Sequence, residues 1–251
     1  MLPPDRHCVL FCRRLTCLLG SGAALLALVA LGGWRWRLPA LAAVHGGWAA
    51  MKPVTAVAVL LAVAGLCAAA RPPGGFRRSR KRLARAAALA VAGLGLAALA
   101  QPAWGGVVER SVFRWVAGDQ PWPGPVPAAV AVQWLLLAAS LGLLTLRAQR
   151  TWAGVAQGLA LLSGFLSYAT LAGYICASEE LGRMPLFAST ALPTAGALFA
   201  LSAALLSARP TRGFMRLVTA GSAGGAILRR WVPATLVLPL VLDTLEARGE
   251  R

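Results

Sequence analysis

Acidic residues are scarce in this chain: Asp and Glu together number 8 in 251 residues, and all charged residues amount to 13%. A soluble domain devotes roughly a quarter of its residues to charge in order to cover its surface, so a water-soluble globular enzyme is a poor fit. Histidine is rarer still, with only His7 and His45. They supply neither the His-Glu-x-x-His of a zinc protease nor a histidine inside an apolar segment for a membrane serine protease. Cysteine is sparse and odd in number: Cys8, Cys12, Cys17, Cys67 and Cys176 contain no Cys-x-x-Cys pair. That pattern implies small apolar residues rather than a disulfide framework or a zinc site. Nucleotide-binding elements are missing as well, since Gly221-Ser222-Ala223-Gly224-Gly225 is glycine-rich but has no phosphate-loop lysine. No catalytic residue, metal or cofactor is expected.

Apolar residues, by contrast, make up 58% of the chain and its mean hydropathy is +0.68. A bilayer core about 30 Å thick is crossed by about 20 apolar residues in a helix, and seven stretches qualify: 15–33, 54–70, 84–104, 126–146, 152–176, 186–207 and 228–245. Alanine and leucine, strong helix formers, dominate them. The expected fold is an all-α polytopic membrane protein of seven transmembrane helices arranged as repeated hairpins. It comprises a basic cytoplasmic N-terminus (1–14), the transmembrane domain (15–245) and a short charged tail (246–251).

The formal charge of +17 would point to nucleic acid in a soluble protein. In a membrane protein it is first a topology signal, and no nucleic-acid partner is expected. With a cytoplasmic N-terminus and alternating loops, 17 basic residues fall on the cytoplasmic side and eight on the other, with Asp5 the only acid inside. This is the positive-inside pattern. It predicts a bacterial inner-membrane protein whose C-terminus is periplasmic. The loop Arg71 to Arg85 holds seven basic residues and could bind anionic lipid at about 1 kcal/mol per residue. Partner membrane helices or a second copy of the chain are the other expected contacts.

An internal repeat is legible. Met51-Lys52-Pro53-Val54-Thr55-Ala56 opens a span that closes at Ala70-Arg71-Pro72, and Ala191-Leu192-Pro193-Thr194-Ala195 opens another that closes at Ala208-Arg209-Pro210. A weaker copy starts at Val126-Pro127-Ala128-Ala129. Spacings of 65–75 residues allow one helical hairpin per copy. The repeat motif thus comprises Met51, Pro53, Thr55, Arg71, Thr194, Arg209 and Gly213.

The order of these motifs resembles the multi-pass N-terminal sensory region found ahead of PAS, histidine-kinase or diguanylate-cyclase modules in bacteria. The first repeat of that group commonly reads Met-Lys-Pro-Asn-Thr-Ala, with Val54 here in place of Asn, and the last reads Ala-Leu-His-Thr-Ala, with Pro193 in place of His. Arg209-Pro210-Thr211-Arg212-Gly213-Phe214-Met215 resembles its Arg-Pro-x-Arg-Gly-x-Met. Thr219, Ser222, Ala223, Gly224, Gly225, Arg229, Arg230 and Pro233 follow its later pattern. The resemblance covers about residues 50–245. It implies a sensory or input module of two-component type signal transduction that lacks its output domain and is not itself an enzyme. The alternative is a stand-alone transporter-like or scaffold protein.

Polar residues inside the spans are the candidate sensing groups. Gln157, Ser163, Ser167, Tyr168 and Tyr174 lie on the fifth span, where Ser163 and Ser167 share a face at i, i+4. Interhelical hydrogen bonding is the competing role for this stripe. Gly154-x-x-x-Gly158 on the same helix would allow close packing.

Overall fold

Asp5 starts the first helix: its carboxylate accepts the N–H of His7 at 2.9 Å, a side-chain N-cap. The computed structural model describes residues 5–43, 49–70, 77–146, 150–175, 190–231, 234, 235 and 238. The helices are α1 (Arg6–Arg35), α2 (Pro39–Ala42), α3 (Pro53–Ala70), α4 (Arg77–Leu99), α5 (Gln101–Trp104), α6 (Val107–Ala117), α7 (Ala128–Thr145), α8 (Arg150–Ile175) and α9 (Leu192–Ser207). A single turn at Met215–Val218 and helical residues 223–231 follow. There is no β-strand among the described residues.

The chain is an all-α polytopic membrane protein. α1, α3, α4, α7 and α8 are each long and apolar enough to cross a bilayer, whereas α9 is apolar but has only 16 residues. The seventh expected span, 228–245, lies mostly outside the described residues, as do Arg71 and residues 186–189. Large apolar side chains such as Leu18, Leu89 and Phe165 point outward at 66–74% exposure. A water-soluble protein rarely presents so much apolar surface; hydrocarbon accommodates it.

The long helices close into a ring. In sequence order α1 packs on α3, α3 on α4, α4 on α7, α7 on α8, and α8 on α9; α9 then returns to α1. Within the ring α3, α7 and α9 also touch one another. Burial agrees: the apolar windows of α3 and α7 are 56% and 61% buried, against 28–33% for α1, α4 and α8. Three inner helices therefore alternate with three outer ones. Each repeat copy read from the sequence, at Pro53, Pro127 and Pro193, opens an inner helix, and Thr55 and Thr194 are equivalently buried at 2% and 3%.

Small side chains permit this closeness. α1 turns Gly20, Ala23, Ala27 and Ala30 inward, and without bulk its backbone approaches α3 and α9; Gly33 instead lies against Leu38, Leu41 and Ala42. Gly65 of α3 sits where three helices converge; an added Cβ would lie 2.6 Å from Leu141 of α7 and 2.9 Å from Ala87 of α4. The Gly154–Gly158 pair behaves differently. Neither would meet a neighbour within 4 Å, and Gly158 is exposed, so the expected close packing at this pair is not made within the chain.

Two boundaries depart from the sequence reading. α1 begins at Arg6, so most of the expected basic N-terminus 1–14 is already helical ahead of the span expected at 15–33. The span expected at 84–104 is a helix running from Arg77 to Leu99, so the C-terminal part of the basic segment is helical rather than loop. Arginine, lysine and alanine have high helix propensity, and the long cationic side chains can reach the interface from helical backbone. Arg85 Nε donates to Thr145 Oγ1 at 3.3 Å, joining the start of α4 to the end of α7.

Candidate functional site

Hydrogen bonds define the two ends of the bundle. At the basic end, Asp5 N–H donates to Thr219 O at 3.0 Å and Arg209 Nη2 to Ala69 O at 3.4 Å. Asp5 is the only acid described there. At the opposite, acid-bearing end lie Met51, Lys52, α5, α6 and residues 119–127, with Glu109 and Asp119.

The acid-bearing end is built around α6. With period 3.6, Glu109, Phe113 and Ala117 form its buried face. Phe113 is clasped edge-on by Trp34 (5.5 Å) and Trp122 (5.3 Å), T-shaped arrangements that suit the ring quadrupoles. Trp34 Nε1 donates to Met51 O at 2.7 Å, and Gln120 Nε2 to Trp34 O at 2.6 Å. These contacts bind the end of α1, α6 and the linker before α7 into one rigid block.

Glu109 lies beneath that block with 3% exposure. Its Oε2 accepts the N–H of Val126 at 3.2 Å, just before α7. Lys52, just before α3, donates from Nζ to Pro125 O. Thus two neighbouring charged groups hold the starts of two inner helices. Burial pushes the Glu109 carboxyl above the ordinary carboxylate range; the Val126 N–H, the Lys52 charge and the Gln101 amide pull it back. Burial likewise pushes the Lys52 ammonium below the lysine range, opposed by the charge of Glu109. Gln101 is near enough to act on Glu109, yet its Nε2 and Glu109 Oε1 each lack a completed hydrogen bond among the described residues.

Two adjoining cavities open beside α6. One, about 440 Å³, lies between the last turn of α4 and the start of α7; the other, about 560 Å³, extends along Arg114 and Asp119. Arg110 and Trp122 border both.

The sequence-derived sensing residues lie elsewhere: Ser163, Ser167 and Tyr168 meet neighbouring helices, whereas Tyr174 and Gln157 meet the segments that flank α9. Ser202 Oγ of α9 donates to Ser163 Oγ at 3.2 Å, and Ser167 Oγ lies 2.7 Å from Gln133 Oε1 of α7. Tyr168 packs against Phe199 of α9, and Tyr174 donates to Thr190 O at 2.7 Å. Gln157 is at the basic end. Its Nε2 donates to Arg209 O (3.3 Å) and Arg212 O (3.0 Å), and its Oε1 accepts Met215 N–H at 3.2 Å. Gly213 completes that turn at φ +57°; a Cβ there would run into Gln157 Oε1. Thr219 Oγ1 reaches Pro210 O (2.8 Å) and Met215 O (2.9 Å). Burial holds the Arg209 guanidinium below its usual range, with Arg212 adding repulsion.

Of the repeat residues, Met51, Pro53, Thr55 and Thr194 therefore sit toward the acid-bearing end, and Arg209 and Gly213 at the basic end. Glu109, Gln101, Arg110 and Trp122 are functional candidates that sequence reasoning missed. The available signal was the 109–113–117 spacing in a short inter-span segment, masked because its buried face begins with an acid. Comparison with family models, with curated proteins and with solved structures finds no match for this chain.

Proposed function

We propose that this protein is a membrane-embedded sensory or input module that receives its stimulus at the acid-bearing end and relays it to the basic end. The observation that carries the reading is the Lys52–Glu109 cluster. It lies beside open cavities while tying together the starts of α3 and α7. A change there bears directly on two inner helices, and α3 runs to Ala69, whose carbonyl accepts from Arg209 at the far end. From there Gln157 and Gly213 fix the turn that leads into helical residues 223–231. The resemblance to the sensory regions of bacterial histidine kinases and diguanylate cyclases gives the same reading a biological setting. The uneven spread of arginine supports a cytoplasmic basic end in a bacterial inner membrane.

Hydrogen–deuterium exchange on the full chain in lipid nanodiscs tests the relay. Glu109→Gln should change backbone exchange at residues 209–219 by about threefold or more if the relay couples the two ends. A change confined to residues 100–130 would refute it.

A further inference from the structure

We infer that the 440 Å³ cavity between α4 and α7 binds a small amphipathic anion, with a carboxylate-type head on Arg110 and an apolar body between the helices. The inference rests on the sensory reading only for its biological purpose; the site itself stands on its own geometry.

The cavity has two chemically distinct parts. Its membrane-side wall is Ala98 and Leu99 from the last turn of α4 and Val126 at the start of α7, all apolar. Its water-side rim holds Arg110 and Gln101. Arg110 is exposed on α6 and makes no hydrogen bond or ion pair among the described residues. An exposed guanidinium presents a planar fork of donors suited to carboxylate. Gln101 is not counted on for the head, because its amide is turned to Glu109. Trp122 supplies a flat wall shared with the second cavity, and its orientation is fixed by Phe113. Gly105 and Gly106, at φ +63° and +71°, keep the third side free of side chains. Glu109 does not oppose an anion head directly, because it lies on the buried face of α6 and is engaged by Val126.

Size selects the ligand class. The volume falls within the range of about 300–1,000 Å³ used for small molecules, and an uncharged solute would leave Arg110 unmatched. Fully water-soluble anions such as inorganic phosphate would leave the apolar wall bare. The position at the end of two spans lets the body of an amphiphile stay at membrane depth while its head remains at the surface.

The test uses the full chain in nanodiscs of purely zwitterionic lipid, titrated with octanoate and, separately, with inorganic phosphate, and followed by isothermal calorimetry. Octanoate should bind saturably at one site per chain, with phosphate at least about tenfold weaker. Arg110→Gln should weaken octanoate by roughly two- to fivefold, the scale of a lost solvent-exposed ion pair, and Arg110→Lys should recover part of it. Arg110 is solvent-facing, so its variants should fold; an unchanged melting temperature verifies this. Absence of saturable binding, equal binding of phosphate, or an Arg110→Gln affinity equal to wild type would overturn the inference. So would complete loss of octanoate binding when the nanodisc contains anionic two-chain lipid, since the site would then belong to the bilayer. Binding without any altered exchange at residues 209–219 would sink the sensory reading and leave the site intact.

Discussion

Glu109 and Lys52 titrate in opposite senses, and each sign follows from burial. The native Glu109 carboxyl holds its proton more tightly than the unfolded one, so raising the pH through the interval above the ordinary carboxylate value removes stability. Lys52 holds its proton less tightly when folded, so stability returns as pH rises toward the ordinary lysine range. Asp5 opposes Glu109 on the acid side: the N–H of His7, then the Cys8 thiol, depress its carboxyl, and its contribution fades as pH falls. The difference in melting temperature between Glu109→Gln and wild type isolates the first effect. It should widen in favour of the variant from acid to neutral pH, and a difference that narrows would reverse the assignment. Gly213 gives a second expectation at this scale. Alanine there meets both a left-handed backbone and Gln157, so Gly213→Ala should cost about 1–3 kcal/mol, measured by denaturation in detergent. Trp134 is the contrast. It is 1% exposed and its Nε1 has no partner among the described residues, so Trp134→Phe removes an unpaired donor but leaves a void and should cost about 1–3 kcal/mol.

Among the elements, the glycines of α3 and α8 separate packing from mere composition. Gly65→Val inserts bulk against both Leu141 and Ala87 and should destabilise by roughly 1–3 kcal/mol. Gly158→Val meets open space, and thermal unfolding of monomeric protein should find it within about 0.5 kcal/mol of wild type. The spacing of the two α8 glycines could not reveal this, because which helix face is turned inward depends on tertiary packing. Long apolar runs were a stronger signal: each of the five longer helices overlaps an expected span, though α1 and α4 begin several residues earlier, since about 20 apolar residues have few other stable solutions. Pro53, Pro127 and Pro193, read from the sequence as the openings of repeat copies, lie at the starts of the three inner helices. The acid-bearing site was not legible. Glu109, Gln101, Arg110 and Trp122 converge only when a short interfacial helix folds over the bundle, and no residue spacing along the chain encodes that convergence.

For the molecule as a whole, the hydrogen bond from Asp5 to Thr219 fixes a relation that topology experiments can read. Reporter fusions after residues 80 and 220 should report the same side of the membrane as the N-terminus, and activity on opposite sides would contradict the ring. Under the proposed orientation that side is the cytoplasm. The closure of α9 onto α1 also has a consequence for how the protein is made. α1 leaves the ribosome ahead of the other ring helices, but one of its two long neighbours is complete only at Ser207. At about 5–20 residues per second, that interval lasts roughly 10–30 s. Throughout it, the seam of Gly20, Ala23, Ala27 and Ala30 on α1 is only partly covered by α3 and remains open to foreign helices. Biogenesis of this protein is thus a race between the arrival of its own last ring helix and capture of the first by something else, and the smallest side chains of α1 are the ones that decide it.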